Sequence, residues 1–364
     1  MANLPSSILV TGGAGFIGSA LVRMLNETTD ARVVTLDKLT YAGHRENLAG
    51  LAHPERHTFV HGDVCDRALC AAVLAEHRVE AVLHLAAESH VDRSIVGADA
   101  FVETNIVGTH RLVEAARAHF SALSAEGRAR FRFVHVSTDE VYGSLAPNEL
   151  PFTEKSPVRP NSPYAASKAA ADHLVRAAHR THGFPAILTN CSNNYGPRQM
   201  PEKLIPVVIE RALARMSIPI YGDGLQVRDW IHVDDHCRAL LRVLEAGRAG
   251  EVYNIGGDCE RTNLALVRAL CAALDHERPR ADGAGYAAQI EHVADRPGHD
   301  RRYAISSAKL AHELGWRATT PFEQGLADTV RWYLANGAWL AAVSSAEHRA
   351  FMARQYGPHA RSLT

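Results

Sequence analysis

The feature that most constrains the fold is a short apolar segment followed at once by a glycine-rich turn. Residues 8–10 predict a buried strand, residues 11–18 (TGGAGFIG) form the turn, and residues 19–26 continue with helical spacing. Glycines at positions 12, 15 and 18 let the backbone turn tightly and approach a pyrophosphate at the N-terminus of the helix. This strand, turn and helix together predict a dinucleotide-binding unit.

The next predicted strand, residues 32–36, ends at Asp37, nineteen residues after Gly18. An acid at this distance accepts hydrogen bonds from the ribose hydroxyls and repels a 2′-phosphate, so the spacing favours NAD over NADP. A purely structural turn followed by an incidental acid is the alternative, and the spacing argues against it.

The alternation of strands and helices continues along the chain. Strands are predicted at 58–64, 81–85, 131–136 and 187–190, with helical stretches between them. This order predicts an α/β fold, a Rossmann-type doubly wound parallel sheet. After about Pro197 the elements shorten and Pro/Gly turns increase, which predicts a smaller, mixed α/β substrate-binding domain. The expected division is 1–197 (mainly) for NAD, 198–336 (mainly, interleaved with the sheet) for the substrate, and a C-terminal tail at 337–364.

Polar residues that can move protons follow one of these strands. Thr138, Asp139 and Glu140 lie where the strand from residue 131 stops, at the sheet edge where doubly wound folds bind ligands. Tyr164 and Lys168 are four residues apart at the start of a predicted helix, so they share a face. An ammonium beside a phenol favours phenolate. Two acids and a Tyr/Lys pair are more proton chemistry than a simple alcohol oxidation requires.

Composition narrows the classes of function. The chain has 364 residues, 46% of them hydrophobic, and a net charge of −1, so no overall basic field indicates nucleic-acid binding. The six cysteines have no metal-ligand spacing and predict free thiols in a reducing compartment, with no metal site. The sequence shows no run of membrane-spanning length, and no room for a signal peptide before the first strand, so we expect a cytoplasmic protein.

At this point the motifs indicate a family. The turn at 11–18, the Tyr164/Lys168 pair and the loop 193–197 (NNYGP) resemble the extended short-chain dehydrogenase/reductases. More narrowly, the segments 84–94 (HLAAESHVDRS), 137–143 (STDEVYG), 201–206 (PEKLIP), 228–236 (RDWIHVDDH) and 295–303 (DRPGHDRRY) resemble the dTDP-glucose 4,6-dehydratase family. The resemblance covers roughly residues 6 to 335, and the Thr-Asp-Glu triplet is its most specific part.

The resemblance implies a complete reaction on a nucleoside-diphosphate hexose. Tyr164, assisted by Lys168 and Thr138, would take the 4-hydroxyl proton while C4 is oxidised by a retained NAD. Glu140 would be the base at C5, and Asp139 the acid that protonates the departing 6-hydroxyl. One acid must start ionised and the other protonated, which environment can enforce on neighbouring carboxyls. The residue types alone leave open which acid has the raised pKa.

The resemblance also implies binding roles for two larger sets of residues. The cofactor set is Gly12, Gly15, Phe16, Ile17, Gly18, Asp37, Lys38, Asp63, Val64, Leu85, Ala86, Ala87, Thr104, Tyr164, Lys168 and Asn193. The substrate set is Ser89, Thr138, Asn193, Lys203, Leu204, Pro219, Tyr221, Arg228, Asn263, Arg296 and His299. A surface salt bridge is the alternative role for the two arginines.

A homodimer is also expected. The helical stretches from about 98 and from 164 have more apolar residues than one face requires, and these could pair across a two-fold axis. The residues concerned are Leu112, Val113, Ala116, Ala169, Leu174 and Val175.

One segment departs from the family pattern. Residues 198–200 are Arg-Gln-Met where family members usually carry an aromatic residue and often a His. Because this segment lies near the sugar nucleotide in the family, UDP-glucose or another hexose remains an alternative substrate. A 4-epimerase or decarboxylase of the same fold, and a nucleotide-sugar or NAD sensor without turnover, are the remaining alternatives.

Overall fold

The computed structural model describes residues 4–295, 298–344 and 350. The strands in these residues are β1 Ser7–Thr11, β2 Arg32–Asp37, β3 His57–His61, β4 Ala81–His84, β5 Arg132–Thr138, β6 Ala186–Cys191, β7 Asn193–Tyr195, β8 Ile218–Tyr221, β9 Val227–His232, β10 Val252–Ile255, β11 Glu260–Thr262 and β12 Ile290–Val293. The α-helices are α1 Phe16–Thr28, α2 Arg67–Glu76, α3 Val91–Val96, α4 Asp99–Phe101, α5 Thr109–Ala122, α6 Ala125–Arg130, α7 Pro163–His182, α8 Leu204–Leu213, α9 Val233–Ala246, α10 Asn263–Glu277, α11 Ala308–Leu314, α12 Phe322–Ala335 and α13 Gly337–Val343. A π-helical segment, Val102–Gly108, joins α4 to α5.

Seven strands form the main sheet, in the order β10-β6-β5-β4-β1-β2-β3. Every neighbouring pair is parallel. The chain order reverses between β1 and β4, and a crevice opens at the carboxyl ends of strands at such a point. The predicted doubly wound parallel sheet is confirmed.

Helices cover both faces of this sheet, which explains why its central strands are almost wholly apolar. On one face α1, α9 and α11 pack against residues such as Ile8, Val10 and Val134. On the other, α2, α5 and α7 pack against Leu9, Val82 and similar residues. A core on each face holds the strand ends, and the side chains that follow them, in fixed positions.

Helix α7 carries the predicted Tyr/Lys pair, and local sequence signals define both of its ends. Ser162 is the N-cap, with its hydroxyl accepting from the amide of Ala165 at 3.1 Å. Pro163 follows at the first helical position, and Gly183 ends the helix in the left-handed conformation. Tyr164 and Lys168 therefore occupy the first two turns, where the sequence predicted them.

A smaller lobe lies beyond the main sheet. It contains a three-stranded sheet, β11-β9-β7, and a two-stranded sheet, β12-β8, with a core made by α8, α10 and α12. Thr262 caps α10, since its hydroxyl accepts from the backbone amide of Ala265. The chain also returns to the main sheet at β10, so its two parts are interleaved. The boundary at residue 197 stays a prediction.

Two sequence interpretations need correction. The segment 193–197 was expected to be a loop, but its first three residues form β7, which pairs with β9. Most of the apolar residues expected at a dimer contact (Leu112, Val113, Ala116, Ala169 and Val175) are buried in the chain's own core.

Among the described residues no helix combines the length and apolarity that crossing a bilayer requires. In the same part of the chain, no cluster of three or more His, Cys, Asp or Glu side chains could hold a metal ion. All six cysteines are free.

Candidate active site

The carboxyl ends of the central strands open into a cavity of about 290 Å³. All sixteen residues of the predicted cofactor set line this cavity, and so do Thr138, Asp139 and Glu140. The sheet brings these residues together because parallel strands all end at the same edge. One crevice therefore holds both the glycine turn and the groups that can move protons.

The glycine turn forms a cradle that a side chain would fill. Gly12 has φ +69°, and a Cβ there would lie 2.6 Å from the amide nitrogen of Ala86. A Cβ on Gly18 would overlap the carbonyl oxygen of Gly12. The bare backbone thus leaves space in front of the N-terminus of α1, which is the geometry that a pyrophosphate needs. The residues present fit a dinucleotide.

Two acids lie on the β2–β3 side of this turn. Asp37 accepts from the amide of Ala14 at 2.9 Å and from that of Leu39 at 2.8 Å, one bond to each carboxylate oxygen. Each oxygen keeps a second lone pair, so Asp37 can hold the turn and still accept from a ribose. Lys38 reaches Asp63 at 3.3 Å and the Thr104 hydroxyl at 2.9 Å, which joins β2, β3 and the π-helical segment.

The end of β5 presents the predicted triplet. Thr138 caps the following 3₁₀ turn, with its hydroxyl accepting from the amide of Glu140 at 3.3 Å. Asp139 is 2% exposed, and its Oδ2 atom has no hydrogen-bond partner among the described residues. Burial, the neighbouring Glu140 and Asp229 together raise the pKa of Asp139 well above its ordinary value. The environment of Asp139 therefore favours its protonated form.

Helix α7 faces this triplet with Tyr164 and Lys168, both buried. The Lys168 ammonium donates to the carbonyl of Val136 on β5 at 2.8 Å. Burial, followed by the charge of Glu140, raises the pKa of Tyr164 well above that of a free phenol, and the Thr138 hydroxyl acts in the opposite direction. Burial therefore favours the protonated phenol, and the expected stabilisation of the phenolate by Lys168 stays a prediction.

Part of the predicted substrate set lies at the same cavity. Ser89, Thr138, Asn193 and Lys203 line it. Lys203 donates to the backbone carbonyl of Ser89 at 2.8 Å, which ties the segment before α8 to the loop after β4. The cavity wall on this side is therefore built from two distant parts of the sequence.

The other described members of the set lie in the smaller lobe, outside the cavity lining. Tyr221 packs edge-on against His299, whose ring nitrogen is 2.6 Å from Asp295. Asn263 begins α10, and its backbone N–H donates to the backbone carbonyl of Gln226 at 2.9 Å. Leu204 opens α8 and Pro219 lies in β8. Arg296 lies outside the described residues.

Arg228 is not the surface salt bridge that was its alternative. It is buried at 5% exposure, donates to the carbonyl of Asp300 at 3.0 Å, and lies 4.3 Å above the ring of Tyr303. Its charge also acts on Asp139, where it opposes the rise in pKa. Arg228 therefore links the smaller lobe to the proton-moving groups.

Comparisons with known proteins agree with this geometry. The family model for GDP-mannose 4,6 dehydratase matches residues 9–329. The chain is 54% identical over 357 residues to dTDP-glucose 4,6-dehydratase 1 of Escherichia coli (strain K12), covering 96% of this chain and 98% of that protein. It is 57% identical over 341 residues to the dTDP-glucose 4,6-dehydratase of Xanthomonas campestris pv. campestris (strain B100), covering 94% and 97%. The chain belongs to the dTDP-glucose 4,6-dehydratase family.

Solved structures give the same result for the fold. A dTDP-glucose 4,6-dehydratase from Streptomyces venezuelae, solved with NAD and a second ligand bound, superposes with a TM-score of 0.84 at 48% identity. That match covers 93% of this chain and 99% of the other. A UDP-glucose 4-epimerase from Thermotoga maritima is more distant, with a TM-score of 0.79 at 30% identity over 90% of this chain and 99% of that one. The family predicted from the motifs is confirmed.

The sequence interpretation missed several residues that support the dehydratase site. Asn105, in the π-helical segment, donates to the Ser167 hydroxyl at 2.8 Å and to the Glu88 carbonyl at 3.0 Å. It thereby joins the loop after β4 to α7. Cys191, Gln199, Met200 and Glu202 line the cavity as well. The departure at 198–200 marked two of these positions, but no periodicity or spacing indicated Asn105.

Proposed function

We propose that this chain is an NAD-dependent dTDP-glucose 4,6-dehydratase, which converts dTDP-glucose to dTDP-4-keto-6-deoxyglucose and water. The observation that carries the proposal is the buried Asp139, beside Glu140 and Tyr164, in the same cavity as the dinucleotide turn. Oxidation of an alcohol needs Tyr164 and a cofactor alone, whereas loss of water also needs an acid and a base.

NAD fits the cavity, since the turn leaves space for a pyrophosphate and Asp37 is positioned for a ribose. Bound NAD would accept hydride from C4 of the hexose and return it at C6. Lys38, Asp63 and Thr104 form the wall on the adenine side, through the contacts from Lys38 to each of the other two. The cofactor would be regenerated in each turnover.

Tyr164 takes the proton of the 4-hydroxyl in the first step. Since burial and Glu140 hold its pKa high, the proton leaves Tyr164 only when positive charge is close to the phenol. Lys168, fixed on Val136, supplies one such charge from the chain itself. The Thr138 hydroxyl lowers the pKa of Tyr164 and so favours the phenolate. It would also hydrogen-bond the substrate's 4-hydroxyl oxygen, the atom whose proton Tyr164 takes.

In the second step the two acids have different roles, because their surroundings differ. Glu140 is half-buried and removes the C5 proton, which the new C4 ketone has made acidic. Asp139 starts protonated because of its burial, and its proton goes to the departing 6-hydroxyl to form water. Glu140 then returns its proton to C5.

The nucleoside diphosphate would be held mainly by the smaller lobe. The diphosphate carries about two negative charges. Because the chain as a whole is nearly neutral, nearby cationic side chains must balance them. Arg228 and Lys203 are the described cations of the predicted substrate set. Asn263, Tyr221 and His299 would contact the nucleotide beyond them, with Ser89 and Asn193 toward the sugar.

A labelled substrate tests the proposal. dTDP-glucose carrying deuterium at C4 should give a 6-deoxy-4-keto product with the label at C6 and no added reductant, as measured by mass spectrometry. Loss of the label to solvent, or to free reduced cofactor, would reject it. Running UDP-glucose in parallel compares the rates for the two nucleobases, thymine and uracil. Faster turnover of UDP-glucose would contradict the preference for dTDP-glucose.

We infer that two copies pair through α5 and α7, and that the enzyme is a cytoplasmic homodimer. Between these helices lies a surface groove of about 150 Å³. Its apolar lining outside the chain's own core is Leu174 and Ala177, and its polar lining is His110, Glu114, Thr181 and His182. Apolar side chains in a groove between two long helices suit the matching helices of a second copy. Light scattering of the native protein should give twice the chain mass. Ala177→Glu should give monomers, whereas Ala129→Glu on the exposed face of α6 should not.

A further inference from the structure

Gln199 belongs to the segment that departs from the family pattern, and its side chain lies at the cavity. The residue is 8% exposed and is one of the cavity-lining residues. Its Nε2 atom donates to the backbone carbonyl of Asn194 at 2.9 Å. Its Oε1 atom is buried and has no hydrogen-bond partner among the described residues. The side chain thus presents a single unsatisfied acceptor at a ligand cavity.

The orientation of this amide is determined by its neighbour. Rotating the amide by half a turn would place Oε1 against the Asn194 carbonyl, and two acceptors facing each other repel. Asn194 is itself held, since its own amide nitrogen donates to the Ser192 carbonyl at 3.0 Å and its oxygen is 2.9 Å from His236. A buried acceptor that cannot turn away requires a donor, because leaving it unpaired is costly.

The local backbone separates Gln199 from the residue before it. Arg198 adopts φ +67°, and its guanidinium lies 5.2 Å from the ring centre of Trp332, outside the cavity lining. The Gln199 carbonyl accepts from the hydroxyl of Tyr333 on α12. The main chain of Gln199 is therefore anchored on α12, and Gln199, unlike Arg198, is one of the residues that line the cavity.

The position of Gln199 along the cavity indicates which part of the dinucleotide it meets. Asp37 and Asp63 mark the adenine end, at β2 and beyond β3, whereas Tyr164 and Lys168 face the end of β5. The nicotinamide must lie at this second end, since the carbon to be oxidised must reach both it and Tyr164. Gln199 is bonded to the segment that follows β6, the next strand beyond β5. The nicotinamide carboxamide carries an uncharged N–H₂ donor at that end.

We propose that the Oε1 atom of Gln199 accepts a hydrogen bond from the carboxamide N–H₂ of the bound nicotinamide, and so fixes the orientation of that ring. The proposal rests on NAD being the cofactor and assigns to Gln199 a part in holding it. A nicotinamide held by its carboxamide presents one face to the hexose, which the transfer from C4 and the return at C6 both require.

An NAD analogue without the donor tests this contact. 3-Acetylpyridine adenine dinucleotide has a methyl group in place of the carboxamide nitrogen. Protein loaded with NADH is titrated with NAD or with the analogue, and displacement is followed by reduced-nicotinamide fluorescence. Wild type should bind NAD about tenfold more tightly than the analogue, in line with one buried hydrogen bond. Gln199→Met, of similar size but without the acceptor, should bind the two nearly equally.

Arg198→Ala is the matched control, since Arg198 is adjacent in sequence but outside the cavity lining, and it should keep the tenfold preference. A retained preference in Gln199→Met would overturn the proposal. If that variant also bound dTDP-glucose more weakly, the donor would be a hexose hydroxyl. If NAD failed to displace NADH from wild type, the cofactor assignment itself would fall. The ratio is measured within each variant, so it does not depend on small differences in stability.

Discussion

Asp172 lies one helical turn beyond Lys168 on α7, and its carboxylate accepts a hydrogen bond from the Ser137 hydroxyl at 2.9 Å. Its other oxygen is 3.1 Å from Nε2 of His135. Because Lys168 itself bonds to the carbonyl of Val136, three consecutive residues of β5 hold this side of the helix. Burial raises the pKa of Asp172 to about 6 and lowers that of Lys168, while the charge of each favours ionisation of the other. Asp172 thus helps to keep Lys168 charged above pH 6.

Replacing Asp172 by Asn should therefore change the pH profile of the first oxidation. Without that negative charge the pKa of Lys168 falls further, so its support for the phenolate is lost at a lower pH than in wild type. Among the other ionisable side chains near this pair, Cys191 raises the pKa of Lys168 and His173 lowers that of Asp172. The buried His135 and His84 also face the pair, and the charge of Lys168 lowers the pKa of both rings. Single-turnover reduction of bound NAD, measured from pH 6 to pH 10, checks this. Ser137→Ala removes a hydrogen bond that lowers the pKa of Asp172 but keeps the carboxylate, so its profile should match wild type at the alkaline end, where Asp172 is ionised. Superimposable profiles for Asp172→Asn and wild type would contradict the prediction.

Tyr164→Phe and Glu140→Gln should fail at different steps. Without the phenol the 4-hydroxyl keeps its proton, so reduction of bound NAD should slow by about 10²–10⁴. Glu140→Gln leaves that proton transfer intact but cannot remove the C5 proton, so reduced cofactor should accumulate while no water is lost. Single-turnover absorbance and product mass distinguish the two. Equal loss of cofactor reduction in both variants would disprove the assignment of roles.

Asp139→Asn should make the folded protein more stable at neutral pH while abolishing dehydration. The pKa of Asp139 is raised on folding, so the acid is protonated in both states below its unfolded value, near pH 4. As the pH rises above that value, only the unfolded state releases the proton, and the stability contributed by Asp139 is progressively lost. The gain in melting temperature from the substitution, about 2–4 °C at pH 8, should thus disappear near pH 4. Asp282, whose pKa is lowered to about 2 by Arg280, is the control. Asp282→Asn should give no gain at pH 8, and a gain there like that of Asp139→Asn would contradict the explanation.

Gly18→Ala should remove NAD binding without the loss of any polar contact. The new methyl group would overlap the Gly12 carbonyl oxygen, and relieving that overlap moves the turn in front of α1. We expect at least a hundredfold weaker NAD binding, measured by the amount of nucleotide that copurifies and by titration. Gly97→Ala, where a Cβ has no atom within 4 Å, should bind NAD as wild type does. Normal NAD binding by Gly18→Ala would show that the turn is not the pyrophosphate site.

The sequence was sufficient for the parts of this protein that depend on local pattern. Alternating strands and helices predicted the main sheet, and the helix predicted to begin near Tyr164 is α7. Where elements are short, as in β7, pairing with a distant strand decided the structure, and no local signal predicted it. The apolar residues of α5 and α7 show the same limit, because a pattern does not tell burial within the chain from burial against a second copy.

The sequence by itself determined the family, the dinucleotide turn and the identity of the groups that move protons, because each depends on residue type and short spacing. Only the tertiary structure decided which acid holds a proton. That choice depends on the burial of Asp139 and on the charges of Glu140, its neighbour in the chain, and of Arg228 and Asp229, which both lie on β9, about ninety residues away in sequence. It also decided that Gln199 has an unsatisfied acceptor, since hydrogen bonding between distant segments is a property of the fold. Desolvation and long-range charge depend on the distances between residues that are far apart in the sequence, and those distances are set by the tertiary structure.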